Sequence, residues 1–372
     1  MGGSPGSHAI SKQQFGIKKD MGVKTKLIRM DEQHIDAALI REAGDVIRAG
    51  GLVAFPTETV YGLGGDALNP SSSEKIYRAK GRPSDNPLIV HIADMEALGA
   101  IVREIPESAL KLAERFWPGP LTMIFQKSDL VPHETTGGLN TVAVRMPVHR
   151  VAQELIRAAG GYVAAPSANR SGRPSPTVAK YVTEDMDGRI EMIIDGGDVE
   201  IGLESTIVDL TADQPTILRP GYITRQMLEQ VLNTVEEDST MMRDDSGQTP
   251  KAPGMKYRHY APKGDLTVVD GEAENVIAYI NAQVHRLQDD NKITGVIATD
   301  ASMSRYHADV CKSVGDRQDE DAVARELYRV LRELDDENVE IIYAEAFDAS
   351  GFGQAIMNRL LKAAGHKVVH VG

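Results

Sequence analysis

Residues 80–92 read KGRPSDNPLIVHI, a basic turn with two prolines that runs directly into an apolar segment. The LIVHI segment is short, apolar and bounded by Pro87, which predicts a buried strand. Each proline holds its own φ at about −65° and bars the preceding residue from a helix, so we expect a stiff turn. Lys80 and Arg82 lie in that turn. Taken alone, they are typical of a solvated surface loop, because surface charge is common.

The segments around this turn combine strands and helices without strict alternation. Apolar residues at three- and four-residue spacing predict helices over 35–49, 107–116, 149–161 and 224–235. Ser71–Ser73 can cap a further helix, which Gly81 ends. We interpret residues 57–70 as a polar, glycine-rich connection. Strands are predicted over 51–56, 88–92, 121–126, 141–147, 162–169, 191–197, 204–210 and 216–221. The order predicts a mixed α/β sheet rather than a doubly wound parallel one.

Residues 265–372 follow a different pattern, in which short apolar strands are separated by long helical stretches. This pattern predicts a small parallel α/β domain of Rossmann-like type. Residues 236–264 before it contain acidic residues, proline and glycine, as linkers do. Their second half, PGMKYRHYAP, is basic and aromatic, and a packed loop is an equal alternative there. We therefore predict four parts: a leader (1–26), a catalytic domain (27–235), a linker or lid (236–264) and a C-terminal domain (265–372).

The composition describes an ordinary globular protein. The chain has 372 residues, 41% hydrophobic and 26% charged, which suggests two domains. No apolar run reaches the roughly 18 residues of a membrane-spanning helix, and residues 1–20, which we expect to be a tag or disordered, do not resemble a signal peptide. Cys311 is the only cysteine, which fits a reducing cytoplasm. The net charge of −13 argues against tight, direct binding of nucleic acid.

Polar residues gather at the ends of the predicted strands. Ser167 and Asn169 follow one strand, Glu204 precedes another, and Arg145 and Arg219 lie inside two more. Hydroxyls and arginine forks bind phosphate and carboxylate oxygens, although ordinary turns are rich in serine as well. No Walker A sequence is present, so a bound nucleotide would need another device.

Eight segments, taken in order, closely resemble one family. They are FPTETVYGLG (55–64), KGRPSDNPLIVHI (80–92), FWPGPLT (116–122), VAVRMP (142–147), APSANRSGRPSPT (165–177), ESTIVD (204–209), LRPG (218–221) and PGMKYRHYAP (253–262). From about Leu27 to the C-terminus the chain resembles the YrdC-like family of threonylcarbamoyl-AMP synthases in its longer, two-domain form. The resemblance implies a YrdC-like mixed twisted sheet for the catalytic domain, followed by the smaller Rossmann-like domain.

The resemblance implies a reaction in which L-threonine, bicarbonate or CO2, and ATP give threonylcarbamoyl-AMP and pyrophosphate. A separate threonylcarbamoyl transferase would receive the product and form N6-threonylcarbamoyladenosine at position 37 of tRNA. Such an enzyme need not bind tRNA itself, which fits the acidic chain. We expect Mg²⁺ to accompany ATP through phosphates and waters, with no protein ligand identified. We also expect a cytoplasmic monomer that does not associate with membranes.

The resemblance also assigns roles to single residues. Lys80 and Arg82 are expected to neutralise the triphosphate and the charge that develops during the reaction. The residues expected around ATP are Arg82, Asn86, Thr141, Ser167, Ser175, Arg219 and Tyr260, with Tyr257 as a second candidate tyrosine. The residues expected around threonine are Thr59, His91, Arg145, Ala165 through its backbone, and Ser205. Arg145 would pair with the carboxylate, and His91 is expected to position threonine rather than to act as a general base.

Two other functions stay open at this stage. One is an RNA-binding module of the same fold, which the net charge of −13 disfavours. The other is a carbamoyl-transfer enzyme that does not adenylate its substrate. Release of pyrophosphate that requires both threonine and bicarbonate would separate the synthase from both alternatives.

Overall fold

The structure, a computed structural model, describes residues 22–239 and 259–372, whose strands form two sheets. The first contains β1 (Lys26–Arg29), β2 (Val53–Phe55), β3 (Gly62–Asp66), β4 (Ile89–His91), β5 (Leu121–Gln126), β6 (Thr141–Arg145), β7 (Val163–Ala164), β8 (Met192–Asp195), β9 (Thr206–Asp209), β10 (Thr216–Arg219) and β11 (Glu236–Glu237). The second contains β12 (Asp265–Gly271), β13 (Thr294–Ala298), β14 (Val310–Ser313), β15 (Ile341–Glu345) and β16 (Val368–Val371).

The α-helices divide between the same two parts of the chain. Those before the second sheet are α1 (Ala37–Arg48), α2 (Pro70–Lys80), α3 (Leu98–Ile101), α4 (Glu107–Phe116), α5 (Arg150–Ala158), α6 (Ala179–Met186) and α7 (Arg225–Leu232). Those among its strands are α8 (Ala273–Asp289), α9 (Glu320–Asp336) and α10 (Gly353–Ala363). None of the helices in the described ranges combines the length and apolar character that a membrane span requires.

The first sheet is mixed, as predicted. Its order is β1-β8-β2-β3-β7-β4-β6-β5-β9-β10-β11. The β4–β6 pair is parallel, whereas β2–β3 and β5–β6 are antiparallel. The LIVHI segment supplies β4, which lies between β7 and β6 with all three residues buried. An apolar run without alternation is what a strand covered on both faces requires.

The second sheet is entirely parallel, which confirms the prediction of a Rossmann-like fold. Its order is β14-β13-β15-β12-β16. Long amphipathic helices connect parallel strands, because such strands need a crossover. The strands of the first sheet run from Lys26 to Glu237, and those of the second begin at Asp265. The domain boundaries at 27, 235 and 264 stay a prediction.

Residues 57–70 are not the simple connection that the sequence analysis expected, because they include strand β3. Glycines are poor strand formers, but here close packing requires them. A Cβ on Gly64 would lie 2.9 Å from ring carbon Cε1 of Phe55 and 2.9 Å from Cγ1 of Val163. Strand pairing with β2 and β7 thus overrides the weak local preference.

Two further local expectations were wrong, and one helix was not predicted. Helix α2 is capped by Asn69, whose side chain accepts a hydrogen bond from the amide of Ser71, and Pro70 occupies the first turn. The strand expected over 162–169 is limited to β7, because the chain turns away at Pro166. Helix α6 follows a serine- and proline-rich turn and had not been predicted. By contrast, Gly81 ends α2 at φ +65°, as expected.

Helices α9 and α10 pack against the part of the chain that contains the first sheet. Arg332 on α9 is buried and donates hydrogen bonds to the carbonyl of Pro174 at 2.7 Å and to Asp185 Oδ2 at 2.6 Å. Gly202 passes so close that a Cβ there would lie 2.4 Å from Cα of Arg325. One hydrophobic cluster also combines residues of both parts. The contact is therefore packed and desolvated, and it places α9 and α10 beside the end of the first sheet.

Candidate active site

A pocket opens where β4, β6 and β10 end and where β9 begins. The end of α2 and the loop after β7 form further walls. The lining residues are Thr57, Val60, Tyr61, Gly62, Lys80, Arg82, Ile89, His91, Arg145, Ala165, Pro166, Ser167, Asn169, Ser171, Gly172, Glu204, Ser205, Arg219, His259 and Tyr260. The pocket therefore draws on segments that are far apart in sequence.

Strand register brings several polar side chains side by side. His91 on β4 pairs with Arg145 on β6, and Arg145 pairs with Thr122 on β5. Residues paired across a sheet point to the same face. Thr122 Oγ1 lies 2.7 Å from Ser205 Oγ, just before β9. A polar row thus crosses the sheet from β4 toward β9, and His91, Arg145 and Ser205 line the pocket.

Most of the residues singled out from the sequence meet in this pocket. These are Lys80, Arg82, His91, Arg145, Ala165, Ser167, Ser205, Arg219 and Tyr260. Thr59 and Ser175 do not line it, but each bonds a residue that does, Arg145 and Glu204 respectively. Their ligand roles stay predictions.

Asn86 and Thr141 also lie outside the lining. Asn86 is buried behind Arg82, and neither polar atom of its side chain has a hydrogen-bond partner in the described parts of the chain. Thr141 begins β6, whose other end carries Arg145. Extended strand separates the two by roughly 13 Å, so Thr141 lies well away from Arg145, and its role as an ATP ligand stays a prediction.

Lys80 is held in place by the loop after β7. Its Nζ donates to the carbonyl oxygens of Ser167 and Asn169, the latter at 2.7 Å. Burial, followed by the charge of Arg82, lowers the pKa of Lys80 well below its usual value. Lys80 is therefore a fixed, desolvated amine on the pocket wall, and a bound anion would strengthen its hold on a proton.

Arg82 braces the turn that contains it. One terminal nitrogen, Nη2, donates to the carbonyls of Asn86 at 3.2 Å and Pro87 at 3.0 Å. Its Nε is buried and has no hydrogen-bond partner among the residues that the structure describes. Burial lowers the pKa of Arg82 to about 10, so the side chain remains cationic at neutral pH. It offers a donor and a positive charge to an anionic ligand.

Arg145 is engaged by two residues of the loop between β2 and β3. Its Nη2 donates to Glu58 Oε1 at 2.6 Å and its Nη1 to Thr59 Oγ1 at 2.8 Å. Its buried Nε has no hydrogen-bond partner within the described residues. The guanidinium is thereby fixed in orientation, while Nε remains a donor for a ligand carboxylate.

His91 beside Arg145 is a neutral imidazole. Its Nδ1 lies 3.2 Å from the carbonyl oxygen of Ile89, so Nδ1 carries the hydrogen in this pairing. Burial, and then the charge of Arg145, lowers the pKa of His91 to about 3. A residue with so low a pKa is a weak general base at neutral pH. The geometry favours a positioning role.

Arg219 and Ser205 form a second fixed pair. Arg219 Nε donates to the carbonyl of Ser205 at 3.0 Å, and Nη2 donates to Ser205 Oγ at 3.1 Å. Burial lowers the pKa of Arg219. Lys80, Arg82, Arg145 and Arg219 thus line one pocket, which suits a ligand with several negative charges.

The described end of the 236–264 segment reaches the pocket. His259 and Tyr260 line it, and the amide of Ala261 donates to the carbonyl of Gly172 at 2.8 Å. Tyr260 has φ +63°, a left-handed conformation that costs a non-glycine residue about 1–2 kcal/mol. It is stacked on Tyr328 of α9 at 5.1 Å between ring centroids. Tyr257 lies outside the described residues.

Sequence reasoning missed several partners of the site. Glu58 stands between two threonines before an apolar stretch, a local signal that could have indicated a buried ion pair. Tyr328 and Arg359 bond Glu204 from α9 and α10. They lie on ordinary amphipathic helices more than a hundred residues away, so no local pattern distinguishes them.

Two family models match the chain. The one described as "Telomere recombination" matches residues 45–221. The one described as "Threonylcarbamoyl-AMP synthase, C-terminal domain" matches residues 223–365. Together they cover every strand of the two sheets except β1 and β16.

Individual proteins match over nearly the whole length. The threonylcarbamoyl-AMP synthase of Pyrococcus abyssi is 48% identical over 339 residues, 91% of this chain and 98% of that protein. That of Bacillus subtilis is 46% identical over 340 residues, 91% of this chain and 96% of that protein. The solved structure of P. abyssi Sua5 complexed with L-threonine matches with a TM-score of 0.88 at 46% identity, and the match covers 94% of this chain and 99% of that one.

Proposed function

Because this chain belongs to the threonylcarbamoyl-AMP synthase family, we propose that its pocket converts L-threonine, bicarbonate or CO2, and ATP into threonylcarbamoyl-AMP and pyrophosphate. The product serves the formation of N6-threonylcarbamoyladenosine in tRNA. One observation supports this assignment most strongly. A single pocket joins the fixed Arg145–His91 pair to the Lys80, Arg82 and Arg219 cations, which suits an amino acid placed beside a triphosphate.

The proposed reaction has two steps. The amine of threonine loses a proton and forms a bond to the carbon of CO2, which gives a carbamate. A carbamate oxygen then attacks the α-phosphorus of ATP, and the bond between the α-phosphorus and the bridging oxygen breaks. Pyrophosphate leaves with the electron pair, and a mixed carbamic–phosphoric anhydride remains. Such phosphorus chemistry depends mainly on positioning and on neutralising charge.

The nucleotide end of the pocket supplies that neutralisation. We propose that Lys80 and Arg82 contact the phosphates and act as the catalytic cations. Lys80 is buried, Arg82 is half-buried, and both are fixed by backbone carbonyls, so little reorganisation is needed when charge develops. Arg219, Ser167 and Tyr260 are proposed to contact the nucleotide from the other walls. Asn86, Thr141 and Ser175 stay proposed ATP ligands without a place in the pocket lining.

The other end of the pocket fits the amino acid. We propose that Arg145 binds the threonine carboxylate through Nε, because its other nitrogens are engaged by Glu58 and Thr59. Neutral His91, Ser205 and the Ala165 backbone are proposed to orient the amine and the hydroxyl group. Thr59 would then act by holding Arg145.

The mixed anhydride hydrolyses readily, so exclusion of water is useful. His259 and Tyr260 line the pocket between the two parts of the chain and are placed to limit access. We propose that this end of the predicted linker is a cover for the site rather than a plain spacer.

We propose that Mg²⁺ enters this pocket together with ATP. No group of three or more His, Cys, Asp or Glu side chains within the described ranges could hold a metal ion. The carboxylate of Glu204 is already bound by Ser175, Tyr328 and Arg359. We therefore propose that Mg²⁺ is held by phosphates and water, where it would offset phosphate charge.

The remaining proposals concern the surroundings of the enzyme. We propose that the product passes to a separate threonylcarbamoyl transferase and that the enzyme acts as a cytoplasmic monomer. The net charge of −13 supports a role that does not require tight tRNA binding.

Pyrophosphate release tests the function. We expect release that requires threonine, bicarbonate and ATP together, and that falls at least about tenfold in Arg82→Ala. Arg78→Ala is the control, because Arg78 is an exposed residue of α2 outside the pocket lining. Release without threonine or bicarbonate, or full release by Arg82→Ala, would contradict the proposal.

A further inference from the structure

Glu204 is the one acidic residue among the described residues that line the pocket. It stands among cations that suit an anionic substrate, and its side chain is buried. A buried carboxylate at this place would repel a triphosphate unless another group neutralised it.

The neutralising group comes from the other sheet's helices. Glu204 Oε2 accepts hydrogen bonds from Arg359 Nε of α10 and from Tyr328 OH of α9, both at 2.9 Å. Its Oε1 accepts from Ser175 Oγ at 2.6 Å. Arg359 and Tyr328 are themselves fully buried. The carboxylate is thus satisfied at both oxygens, and two of its three partners lie across the contact between the two parts of the chain.

The same partners hold Tyr260. Its ring stacks on Tyr328 with 28° between the planes, and the guanidinium carbon of Arg359 lies 5.8 Å from its centroid. The left-handed backbone of Tyr260 is costly by itself, so it persists only because its surroundings fix it. Stacking and cation–π contacts are suitable forces for this.

The surroundings of Glu204 strongly favour its ionised form. Burial alone would raise the pKa of Glu204, but Arg359, Arg219 and the hydrogen bond from Ser175 outweigh it and lower the pKa to about 2. The carboxylate is therefore ionised and matched by Arg359. Removing only Arg359 would leave a buried, unmatched anion next to the nucleotide side of the pocket.

We propose that Glu204, Arg359 and Tyr328 form a positioning network that keeps the nucleotide side of the pocket electrostatically open to ATP and fixes Tyr260 beside it. The network rests on the proposed function and assigns a role to the C-terminal part of the chain. These residues act through Tyr260 and through the charge of the pocket, not on the reacting atoms. Helices α9 and α10 thereby become part of the active site.

The first test separates this role from simple packing. We expect Arg359→Met to raise KM for ATP at least about tenfold, with a smaller change in KM for threonine. In the double variant Glu204→Gln with Arg359→Met, the unmatched charge is gone, and we expect most of the ATP affinity to return. If Arg359 only packed the two parts together, the double variant would be as impaired as Arg359→Met, and that result would overturn the proposal.

The pH profile gives a second reading of the same variants. The titratable groups that face Glu204 are Lys80 on α2, Arg219 on β10, Tyr260, Tyr328 on α9, and Arg359 and Lys362 on α10. Without Arg359, protonation of Glu204 becomes easier, so we expect KM for ATP in Arg359→Met to fall as the pH is lowered from 8 to 6. Burial lowers the pKa of Lys362 to about 7, so Lys362 gains charge over the same range in both variants. We therefore expect a smaller fall in the double variant, and the difference between the two profiles reports Glu204. A flat profile in folded Arg359→Met would contradict the proposal.

Further variants guard against misfolding and against failure of the function itself. Tyr328→Phe keeps the ring and removes one hydrogen bond to Glu204, so we expect KM for ATP to rise about threefold. An unchanged value would count against the network. Arg329→Met is the control. Arg329 pairs with Asp198 across the same contact between the two parts of the chain, but both side chains are far more exposed than Arg359. Binding of a non-hydrolysable ATP analogue, measured by calorimetry, tests the network even if no threonylcarbamoyl-AMP is formed.

Discussion

At the scale of single residues, Lys80 shows why a buried cation can be both structural and functional. Its Nζ donates to the backbone carbonyl oxygens of Ser167 and Asn169, which a purely structural lysine could also do. What distinguishes it is the pocket, where three arginines and few acidic groups share the lining. A purely structural role would not explain the three nearby arginines, because neighbouring positive charges disfavour the charged form of the lysine.

Replacing Lys80 by Met keeps much of the side-chain volume and removes the charge. We expect kcat/KM for ATP to fall at least about tenfold, because the triphosphate loses a buried cation. Pyrophosphate release gives the value, and thermal unfolding reports whether the variant is folded. Lys75→Met is the matched control, because Lys75 also lies on α2 and donates to a carbonyl, that of Gly50, outside the pocket. Equal losses in both variants would argue against a nucleotide role.

His91 makes stability depend on pH. Its pKa is lowered to about 3 in the fold, below the usual value of 6.5. Below pH 6.5 the unfolded chain takes up a proton that the folded chain does not, so this contribution to stability is lost as the pH falls. Between pH 8 and pH 5 the loss is about 2 kcal/mol.

We therefore expect His91→Gln to lose about 2 kcal/mol less unfolding free energy than the parent over that range. Urea unfolding at each pH gives the difference. His285→Gln, at an exposed position on α8, is the control and should leave the pH dependence as it is. Identical pH dependence in His91→Gln and the parent would show that His91 is not buried as a neutral group.

At the scale of elements, the predictable parts are those with strong local patterns. Strand β4 follows from its apolar run, and the end of α2 follows from Gly81. Strand β3 could not be predicted, because glycine disfavours strands and only Phe55 and Val163 across the sheet explain it. The site divides in the same way. Lys80 and Arg82 lie in a motif, whereas the partners on α9 and α10 are fixed by tertiary contacts alone.

Gly64→Ala tests the packing account of β3. The added methyl group would meet Phe55 and Val163 at 2.9 Å, so we expect a loss of about 1–3 kcal/mol in unfolding free energy. Gly99→Ala on α3 is the control, because a Cβ there meets nothing within 4 Å. Denaturant unfolding measures both. A loss no greater in Gly64→Ala than in Gly99→Ala would show that the strand does not require glycine at this position.

At the scale of the whole molecule, we expect the contact between the two parts of the chain to contribute to the free energy of unfolding. Arg332 is 1% exposed and bonds Pro174 and Asp185 across it. Arg332→Met would remove one of the two arginines that pair with the buried Asp185 and leave Arg173 in place, and we expect a loss of about 1–3 kcal/mol. Arg329→Met, at the more exposed ion pair with Asp198, should cost about 1 kcal/mol or less. Similar small losses in both would mean that the contact contributes little to stability.

The central claim is that carbon from bicarbonate joins threonine and that the carbamate then takes the adenylyl group of ATP. The most direct measurement is mass spectrometry of the products formed from threonine, ATP and ¹³C-labelled bicarbonate. We expect an adenylate that contains threonine and carries the label, together with pyrophosphate. A product without the label, or conversion of ATP to ADP and phosphate in place of pyrophosphate release, would contradict the claim.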